Sequence, residues 1–211
     1  MGLNQGMKTV PTTLLAICVC LVIGCGEQRD RGERTQPEPV EVAAEEDKEY
    51  FEFLKATAEK GNAERQFYLG VMYNTGQGVE KDDKEAVKWF RKAAEQGYAK
   101  AQVNLGGMYD DGKGVLEDDK EAVKWFRKAA EQGFAAAQHN LGVMYGKGEG
   151  VLQDIVTAYA WFNISAANGQ EKAKKFKDLA ANEMTPDQIA NAEALVKEMV
   201  KKNPKLLNNK D

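Results

Sequence analysis

Residues that usually carry catalysis are nearly missing from this 211-residue chain. The three cysteines all lie within the first 25 residues, so the rest of the chain can form neither a disulfide nor a cysteine metal site. His139 is the only histidine and Ser165 the only serine. A serine–histidine catalyst also needs an orienting third residue and an oxyanion hole, and no motif here supplies them. We therefore predict that the chain is not an enzyme and binds no metal or cofactor.

Proline is also scarce, and a net positive charge is absent. No proline lies between Pro39 and Pro186. Because proline disrupts helix interiors, so long a gap is typical of a largely helical body. The formal net charge is −4, whereas domains that bind nucleic acid usually carry a basic stripe. The charge balance therefore opposes a nucleic-acid partner.

The N-terminus carries an export signal. Lys8 precedes an apolar stretch, residues 14–23, which ends two residues before Cys25. At about ten residues the stretch is too short to span a membrane, which takes ~20, and it has the organisation of a secretory signal. The segment from Val22 to Cys25 resembles a bacterial lipobox, which implies cleavage before Cys25 and lipidation of its thiol. Ordinary secretion and an uncleaved anchor are the alternatives.

The lipobox divides the N-terminal region into two predicted parts. Residues 1–24 form a lipoprotein signal peptide, and residues 25–45 form an acylated cysteine and a disordered tether. The tether is charged and almost free of aliphatic residues until Val40, so it cannot bury enough apolar surface to become ordered. A lipid on Cys25 places the chain in the bacterial cell envelope, on the outer membrane, facing the periplasm or the cell surface.

A repeat of 36 residues fills the middle of the chain. Residues 82–97 and 118–133 are identical over sixteen positions, which only a duplication explains. A third copy has diverged but keeps the frame. The frame predicts three repeats, at residues 63–98, 99–134 and 135–170.

Each repeat has the pattern of two helices joined by glycine turns. In its first half, Gln66, Leu69, Gly70 and Tyr73 follow the spacing of one helix face. Glycine at the Gly70 position in every copy costs ~1 kcal/mol inside a helix, which indicates that a neighbouring helix approaches too closely for a Cβ. The second helix of each repeat is predicted to begin at an aspartate N-cap, with a capping box to a glutamate three residues later in the first two repeats, and to end at a glycine. These positions are Asp82, Glu85 and Gly97 in repeat 1 and Asp118, Glu121 and Gly133 in repeat 2, and Asp154 and Gly169 mark the start and end in repeat 3.

The ends of the repeat array are predicted to be capped by atypical helices. Residues 46–62 form an N-terminal capping helix, in which Phe53 aligns with Trp89 of repeat 1. Residues 171–211 form C-terminal capping helices, the last of which begins at Thr185 with Pro186 at its first position. The fold class is therefore all-α, an α-solenoid of antiparallel helix pairs with about nine helices.

The repeat resembles that of the Sel-one-like repeat family, a relative of the tetratricopeptide repeat. The residues that carry the resemblance are Ala-x-x-Gln-x-x-Leu-Gly-x-Met-Tyr-x-x-Gly-x-Gly-Val-x-x-Asp, followed by Ala-x-x-Trp-Phe-x-x-Ala-Ala-x-x-Gly, in residues 63–97 and 99–133. Residues 135–169 have the same motif with Ser165 in place of the first of the two late alanines. The resemblance implies a right-handed superhelix whose concave face, lined by the first helices, binds partner proteins or peptides. Some members have cysteine pairs and a few bind penicillin-like compounds. This sequence lacks those cysteines, so that chemistry is not carried over.

Candidate binding residues are first-helix positions that change from one repeat to the next. They are Phe67, Tyr68, Asn74, Val103, Asn104, Asp110, His139 and Asn140. Asn104 and Asn140 lie 36 residues apart and so share one position of the repeat, which we call a column. Such an asparagine ladder is suited to hydrogen-bonding an extended peptide backbone, although polar surface residues commonly have no specific role.

These observations predict a membrane-anchored interaction scaffold, monomeric, that binds a partner protein or peptide through its concave face. A hydrolytic enzyme acting on cell-wall material or β-lactams is one alternative, and it lacks a nucleophile–base pair. A helical-repeat reader of RNA is another, and the acidic balance and the export signal oppose it.

Overall fold

In the computed structural model the backbone is described for residues 39–207 and the side chains for residues 47–207. The predicted signal peptide, Cys25 and the first part of the tether lie outside these residues. The described residues form nine α-helices and one 3-10 helix, with no strand among them. The α-helices are α1 Pro39–Ala58, α2 Ala63–Thr75, α3 Asp83–Glu95, α4 Ala99–Asp110, α5 Asp119–Ala130, α6 Ala135–Lys147, α7 Ile155–Ala167, α8 Glu171–Asn182 and α9 Pro186–Lys202. The 3-10 helix is Pro204–Leu206.

The three predicted repeats fold as three helix pairs, α2 with α3, α4 with α5 and α6 with α7. Each second helix also packs against the first helix of the next unit, α3 against α4, α5 against α6 and α7 against α8. The result is an all-α solenoid, which confirms the predicted fold class.

Glycine and phenylalanine set the spacing within each pair. A Cβ added at Gly70 would lie 2.7 Å from the ring of Phe90, and one added at Gly106 would lie 2.7 Å from the ring of Phe126. In repeat 3 the corresponding distance from Gly142 to Phe162 is 2.5 Å. These separations are shorter than carbon atoms tolerate. The predicted close approach is confirmed, and the crowding group is an aromatic ring of the same repeat.

The invariant glutamines join each repeat to the unit before it. Nε2 of Gln66 donates to the backbone oxygen of Ala58 at 3.1 Å, and Nε2 of Gln102 donates to that of Ala94 at 3.0 Å. Both acceptors are in the last turn of a helix, where carbonyl groups lack partners within the helix. The buried amides therefore satisfy the C-terminal end of the preceding helix.

The aspartate caps are present as predicted, but the capping boxes expected with them are not. Oδ1 of Asp82 accepts hydrogen bonds from the backbone N–H groups of Lys84 and Glu85 at 2.9 and 3.0 Å. The Glu85 side chain does not reach back to the cap, because it pairs with Lys88 one turn later. A complete capping box occurs at the start of α9, between Thr185 and Gln188.

The first helix begins earlier than predicted. α1 starts at Pro39, so residues 39–45, which we assigned to the disordered tether, are helical. Proline at the first helical position has its φ already set for the helix, and the alanines that follow are good helix formers. Leu54 in this helix is fully buried, whereas Phe53 is 54% exposed because no described helix precedes α1 in the solenoid.

The C-terminal helices close the array in two ways. α8 continues the row of first helices, but polar Lys177 and Asp178 occupy the columns of Leu141 and Gly142, which suits an end that no second helix covers. α9 instead packs against α7. The 3-10 helix follows α9. Its last residue, Leu206, accepts hydrogen bonds at its backbone oxygen from the side-chain amides of Gln138 and Asn168, at 2.8 and 2.7 Å.

Candidate functional site

The variable positions of the first helices form one surface, which we call the first-helix face. It consists of exposed and half-buried residues of α2, α4, α6 and α8, namely Tyr68, Asn74, Val103, Asn104, Gly107, His139, Asn140, Val143, Gly146, Phe176 and Leu179. Tyr68, Asn104, Asn140 and Phe176 occupy one column on the four successive helices. Two depressions lie on this face, one polar and one apolar.

The polar depression, here the amide cavity, lies around the side chains of Asn74, Asn104 and Asn140. It has a volume of about 300 Å³ and its other lining residues are Phe90, Val103, Gly107, Met108, Asp111 and Lys113. Three helices contribute one asparagine each, and together with Val103 they make four of the predicted site residues that converge here. Within the described part of the chain, none of the three amide side chains makes a hydrogen bond. Their donors and acceptors are therefore available to a bound molecule.

Asp110 does not line the amide cavity, although the sequence placed it in the binding surface. Burial raises the pKa of the Asp110 carboxyl, and the neighbouring carboxylates of Asp111, Glu149 and Asp119 raise it further. The charged residues that reach the cavity are Asp111 and Lys113, whose side chains form an ion pair of 2.7 Å.

Phe67 is a correction to the predicted site. Only 9% of it is exposed, and its ring lies 5.8 Å from that of Phe90 and 5.3 Å from that of Tyr98. Phe67 belongs to the core cluster between repeats 1 and 2. It therefore supports the first-helix face from below, since an aromatic ring of this size gains more from burial than from exposure.

His139 forms part of an aromatic cluster beside the second depression. Its ring centroid lies 5.5 Å from that of Phe162 and 5.0 Å from that of Phe176. Burial lowers the pKa of His139, and the positive charge of Lys172 lowers it further. Both effects disfavour the charged imidazolium, and the buried Nδ1 of His139 has no hydrogen-bond partner among the described residues.

The only histidine and the only serine are not arranged as a catalytic pair. Oγ of Ser165 donates a hydrogen bond of 2.7 Å to the backbone oxygen of Ala135, and Ser165 is fully buried. A nucleophilic serine instead needs its hydroxyl on a base and open to a substrate. Ser165 therefore serves packing between α7 and α6.

The second depression, here the apolar pocket, lies between α6, α7 and α8. It has a volume of about 180 Å³ and is lined by Gly142, Val143, Gly146, Lys147, Ile155, Ala158, Phe162, Phe176, Leu179, Ala180 and Glu183. Phe176 is 40% exposed and Leu179 59% exposed. Sequence reasoning missed both because it treated α8 only as a cap. The available signal was their position 36 residues after Asn140 and Val143.

The opposite side of the solenoid also has two depressions, of about 560 and 440 Å³, along α3 and α5. Some of their charged side chains already have partners, as in the pairs of Lys88 with Glu85 and of Lys124 with Glu121. Lys92 lies over the Trp89 ring, 4.0 Å from its centroid. These depressions are larger, and their walls include charged side chains that form no ion pair or hydrogen bond within the described chain, those of Lys84, Glu95, Lys120 and Glu131. The first-helix face is the stronger candidate because its unpaired groups are neutral amides from three successive helices that converge on one cavity.

Two further features bear on the site. No helix in the described part of the chain is both long enough and apolar enough to cross a membrane. Among the same residues, no group of three or more histidine, aspartate or glutamate side chains is placed to hold a metal ion.

Known proteins with the same repeat support the fold and the scaffold role. A family model described as Sel1 repeat matches residues 64–98, 99–134 and 135–170. The crystal structure of a Sel1 repeat protein from Oxalobacter formigenes is 45% identical, with a TM-score of 0.55, over 59% of this chain and 94% of that chain. A protective antigen of uropathogenic Escherichia coli strains that displays an SLR fold is 33% identical, with a TM-score of 0.57, over 75% of this chain and 42% of that chain. No curated protein matches the sequence significantly.

Sel1 repeat proteins serve as protein-interaction scaffolds and are generally not enzymes. The resemblance drawn from the sequence is confirmed by the matched residues and by the shared helix-pair architecture. The chain belongs to the Sel1 repeat family.

Proposed function

We propose that this protein is an envelope-anchored scaffold that holds an extended segment of a partner protein along its first-helix face. The observation that carries the proposal is the convergence of three unpaired amides, those of Asn74, Asn104 and Asn140, on one cavity. Each amide comes from a different first helix. Asn104 and Asn140 share one column of the repeat, and Asn74 reaches the same cavity from another column.

The chemistry of an amide suits a peptide backbone. An extended chain presents N–H and C=O groups that must be paired when they leave water. An asparagine side chain offers one acceptor oxygen and two donors, so it can bind both backbone groups. Recognition through the main chain provides affinity for many sequences, and pockets for individual side chains then select among them.

The two alternative functions have less support. A hydrolase needs an activated nucleophile, and the Ser165 hydroxyl is bonded to the backbone oxygen of Ala135. An RNA reader needs cations that can pair with phosphates, and Lys113 at the amide cavity is already paired with Asp111.

Membrane attachment through Cys25 is the second part of the proposal. It is supported by the signal-like stretch and the lipobox, which lie outside the described residues. Several acyl chains on one cysteine provide stable attachment, at ~0.8 kcal/mol for each buried methylene. The segment from residue 26 to α1 would then link the lipid to the solenoid.

The binding proposal is tested with displayed random nonapeptides, selected on the full chain in detergent. Changing Asn74, Asn104 and Asn140 to alanine should weaken the selected peptides at least tenfold, because each lost hydrogen bond contributes about 0.5–1.5 kcal/mol. Since the three side chains form no hydrogen bond within the described chain, the melting temperature of the alanine variant should change little.

The matched control is charge reversal on the opposite side, with Lys88→Glu and Lys124→Glu, which should leave peptide binding unchanged. If the control loses the peptides and the alanine variant keeps them, the binding site is on the second helices and the proposal is wrong.

The anchoring proposal is tested by Cys25→Ser. The variant should leave the membrane fraction and appear in the soluble fraction, because the acyl chains and not the solenoid supply the attachment. Full retention in the membrane fraction by the variant would contradict the lipid anchor.

A further inference from the structure

Two glycines within the first helices are not needed for packing. Gly70, Gly106 and Gly142 are each crowded by a phenylalanine ring, but a Cβ added at Gly107 would meet nothing within 4 Å. A Cβ at Gly146 would meet only Cβ of Ala158 at 3.8 Å, an ordinary contact. Neither residue has a positive φ. Glycine at such a position destabilises a helix by ~1 kcal/mol relative to alanine, and nothing in the interior of the solenoid requires it.

The effect of these two glycines is to open the two depressions of the first-helix face. Gly107 lines the amide cavity and Gly146 lines the apolar pocket. The column of Gly146 holds Asn74 in repeat 1 and Asp110 in repeat 2. A side chain of that size at Gly146 would project into the apolar pocket, so the absence of one keeps the pocket open.

The walls of the apolar pocket indicate what it holds. Phe162, Phe176 and Leu179 line it, and the latter two remain largely exposed although burial would stabilise them. A volume of about 180 Å³ lies well below the ~300–1,000 Å³ typical of small-molecule sites. It is suited to a single large side chain.

The side chains that line the apolar pocket give it no strong charge of either sign. The charged residues that line it are Lys147, which pairs with Glu149, and Glu183, and burial lowers the pKa of the neighbouring His139, which disfavours its charged form. A charged group would therefore gain little there, whereas an apolar side chain would remove two exposed hydrophobic residues from water.

The two depressions are adjacent. Asn140 of the amide cavity and Gly146 of the apolar pocket lie six residues apart on α6. This separation corresponds to about 9 Å along the helix, which an extended peptide covers with about three residues.

We propose that the apolar pocket is a specificity pocket that takes one large aliphatic or aromatic side chain of the partner segment. The inference rests on the proposed function, because the same segment has its backbone held by the amide cavity. The recognised segment therefore carries a leucine, isoleucine, methionine or phenylalanine about three residues from the part that contacts Asn140.

The test uses the nonapeptides selected on the wild-type chain and the variant Gly146→Asn. Asparagine occupies the same column in repeat 1, so the variant should fold, with a melting temperature no lower than wild type. The selected peptides should share one large apolar position. Gly146→Asn should weaken them at least tenfold, and replacing the apolar residue of a peptide by glycine should weaken its binding to the wild type by a similar factor.

The losses of affinity caused by Gly146→Asn in the protein and by the glycine substitution in the peptide should not be additive. A glycine-substituted peptide should bind Gly146→Asn as well as it binds the wild type, because the pocket is then unused in both. Peptides that lack a shared apolar position, or that bind Gly146→Asn unchanged, overturn the specificity pocket but leave the proposed function standing if their binding still depends on Asn74, Asn104 and Asn140.

Two other outcomes also overturn the inference. If no peptide binds the wild type, the proposed function fails together with it. If sedimentation shows that the wild-type chain forms dimers and that Gly146→Asn disperses them, the pocket is occupied by a second copy of the chain.

Discussion

The outer sides of repeats 2 and 3 differ sharply although their inner packing is the same. In repeat 2, Lys124 and Lys128 on α5 are exposed to solvent. In repeat 3 the same two columns hold Ala160 and Ile164, which are 0% and 1% exposed. Repeat 1 agrees with repeat 2, since the two share the sixteen-residue segment that contains these columns.

The difference arises from what covers each repeat. α9 packs along α7, and Ile164 belongs to a buried cluster that Val196, Met199 and Val200 of α9 contact. Nothing in the described chain covers α3 and α5 in this way. Columns that stay constant through the repeats thus reflect packing inside a repeat, whereas columns that change from lysine to isoleucine reveal a covering element.

The largest expected effect comes from exchanging residues between the two outer sides. Ile164→Lys should destabilise the protein by about 3 kcal/mol or more, because it removes buried apolar contacts and places an ammonium group under α9. Thermal or urea unfolding followed by circular dichroism measures the loss.

The reciprocal change, Lys128→Ile, is the control. In the native protein Nζ of Lys128 lies over the Trp125 ring, 4.1 Å from the ring centroid. Losing this cation–π contact should lower the free energy of unfolding by no more than about 1 kcal/mol. If both changes destabilise equally, cover by α9 does not explain the difference between the repeats.

A smaller loss of stability should be equal in repeat 3, which α9 covers, and in repeat 2, which it does not. Gly106→Val and Gly142→Val should each destabilise by about 2 kcal/mol or more, because a β-branched side chain would collide with Phe126 or Phe162. Both rings lie inside their own repeats, so α9 should not matter. Melting temperatures of the two variants provide the comparison.

Gly107→Ala checks that the collision, and not the loss of glycine itself, is responsible. This site has open space around it, so the variant should be as stable as wild type or up to ~1 kcal/mol more stable. Destabilisation by this variant would show that the glycines have another role.

The smallest effect is the part of the pH dependence of stability that arises from His139 of repeat 3. Burial lowers the pKa of His139, so below about pH 6.5 the unfolded chain binds a proton before the folded chain does. The free energy of unfolding should therefore fall as the pH decreases through this region, and then level off below the folded pKa. His139→Val, which installs the residue found at Val103 of repeat 2, should reduce the fall in melting temperature between about pH 7.5 and about pH 5.5. An identical fall in the variant and the wild type would mean that His139 does not contribute.

Much of the fold was predictable because the repeats act as an internal alignment. Some columns are constant because each residue has a role within its own repeat. Gly70 permits a close contact, Asp82 caps a helix, and Gly97 adopts the left-handed conformation at a helix end, as the sequence predicted. The helix pairs and their order follow from those columns.

The rest depended on contacts between distant parts of the chain. The apolar stripe of α9 predicts that it is covered on one side, but not that its partner is α7. Phe67 differs from its counterparts in the other repeats, and this difference between repeats suggested a surface residue. Core residues can also differ between repeats, so the sequence alone could not separate the two cases. The asparagines of the amide cavity were identified from their columns, but that they lack partners is visible only in the structure.

The way the C-terminal segment is held has a consequence for biosynthesis. Asn203 donates from its side chain to the backbone oxygen of Glu131 at 2.8 Å, and the oxygen of Leu206 accepts from Gln138 at 2.8 Å. Residues 203–206, which follow α9, thus bond to the last part of repeat 2 and to repeat 3. A chain that emerges from the ribosome, or from a membrane channel, with its N-terminus first can fold repeat 1 and the helices of repeat 2 while Ile164 is still uncovered. Repeat 3 can be covered only after α9 has emerged, so products truncated before α9 should keep an exposed apolar surface around Ile164 that proteases and chaperones recognise.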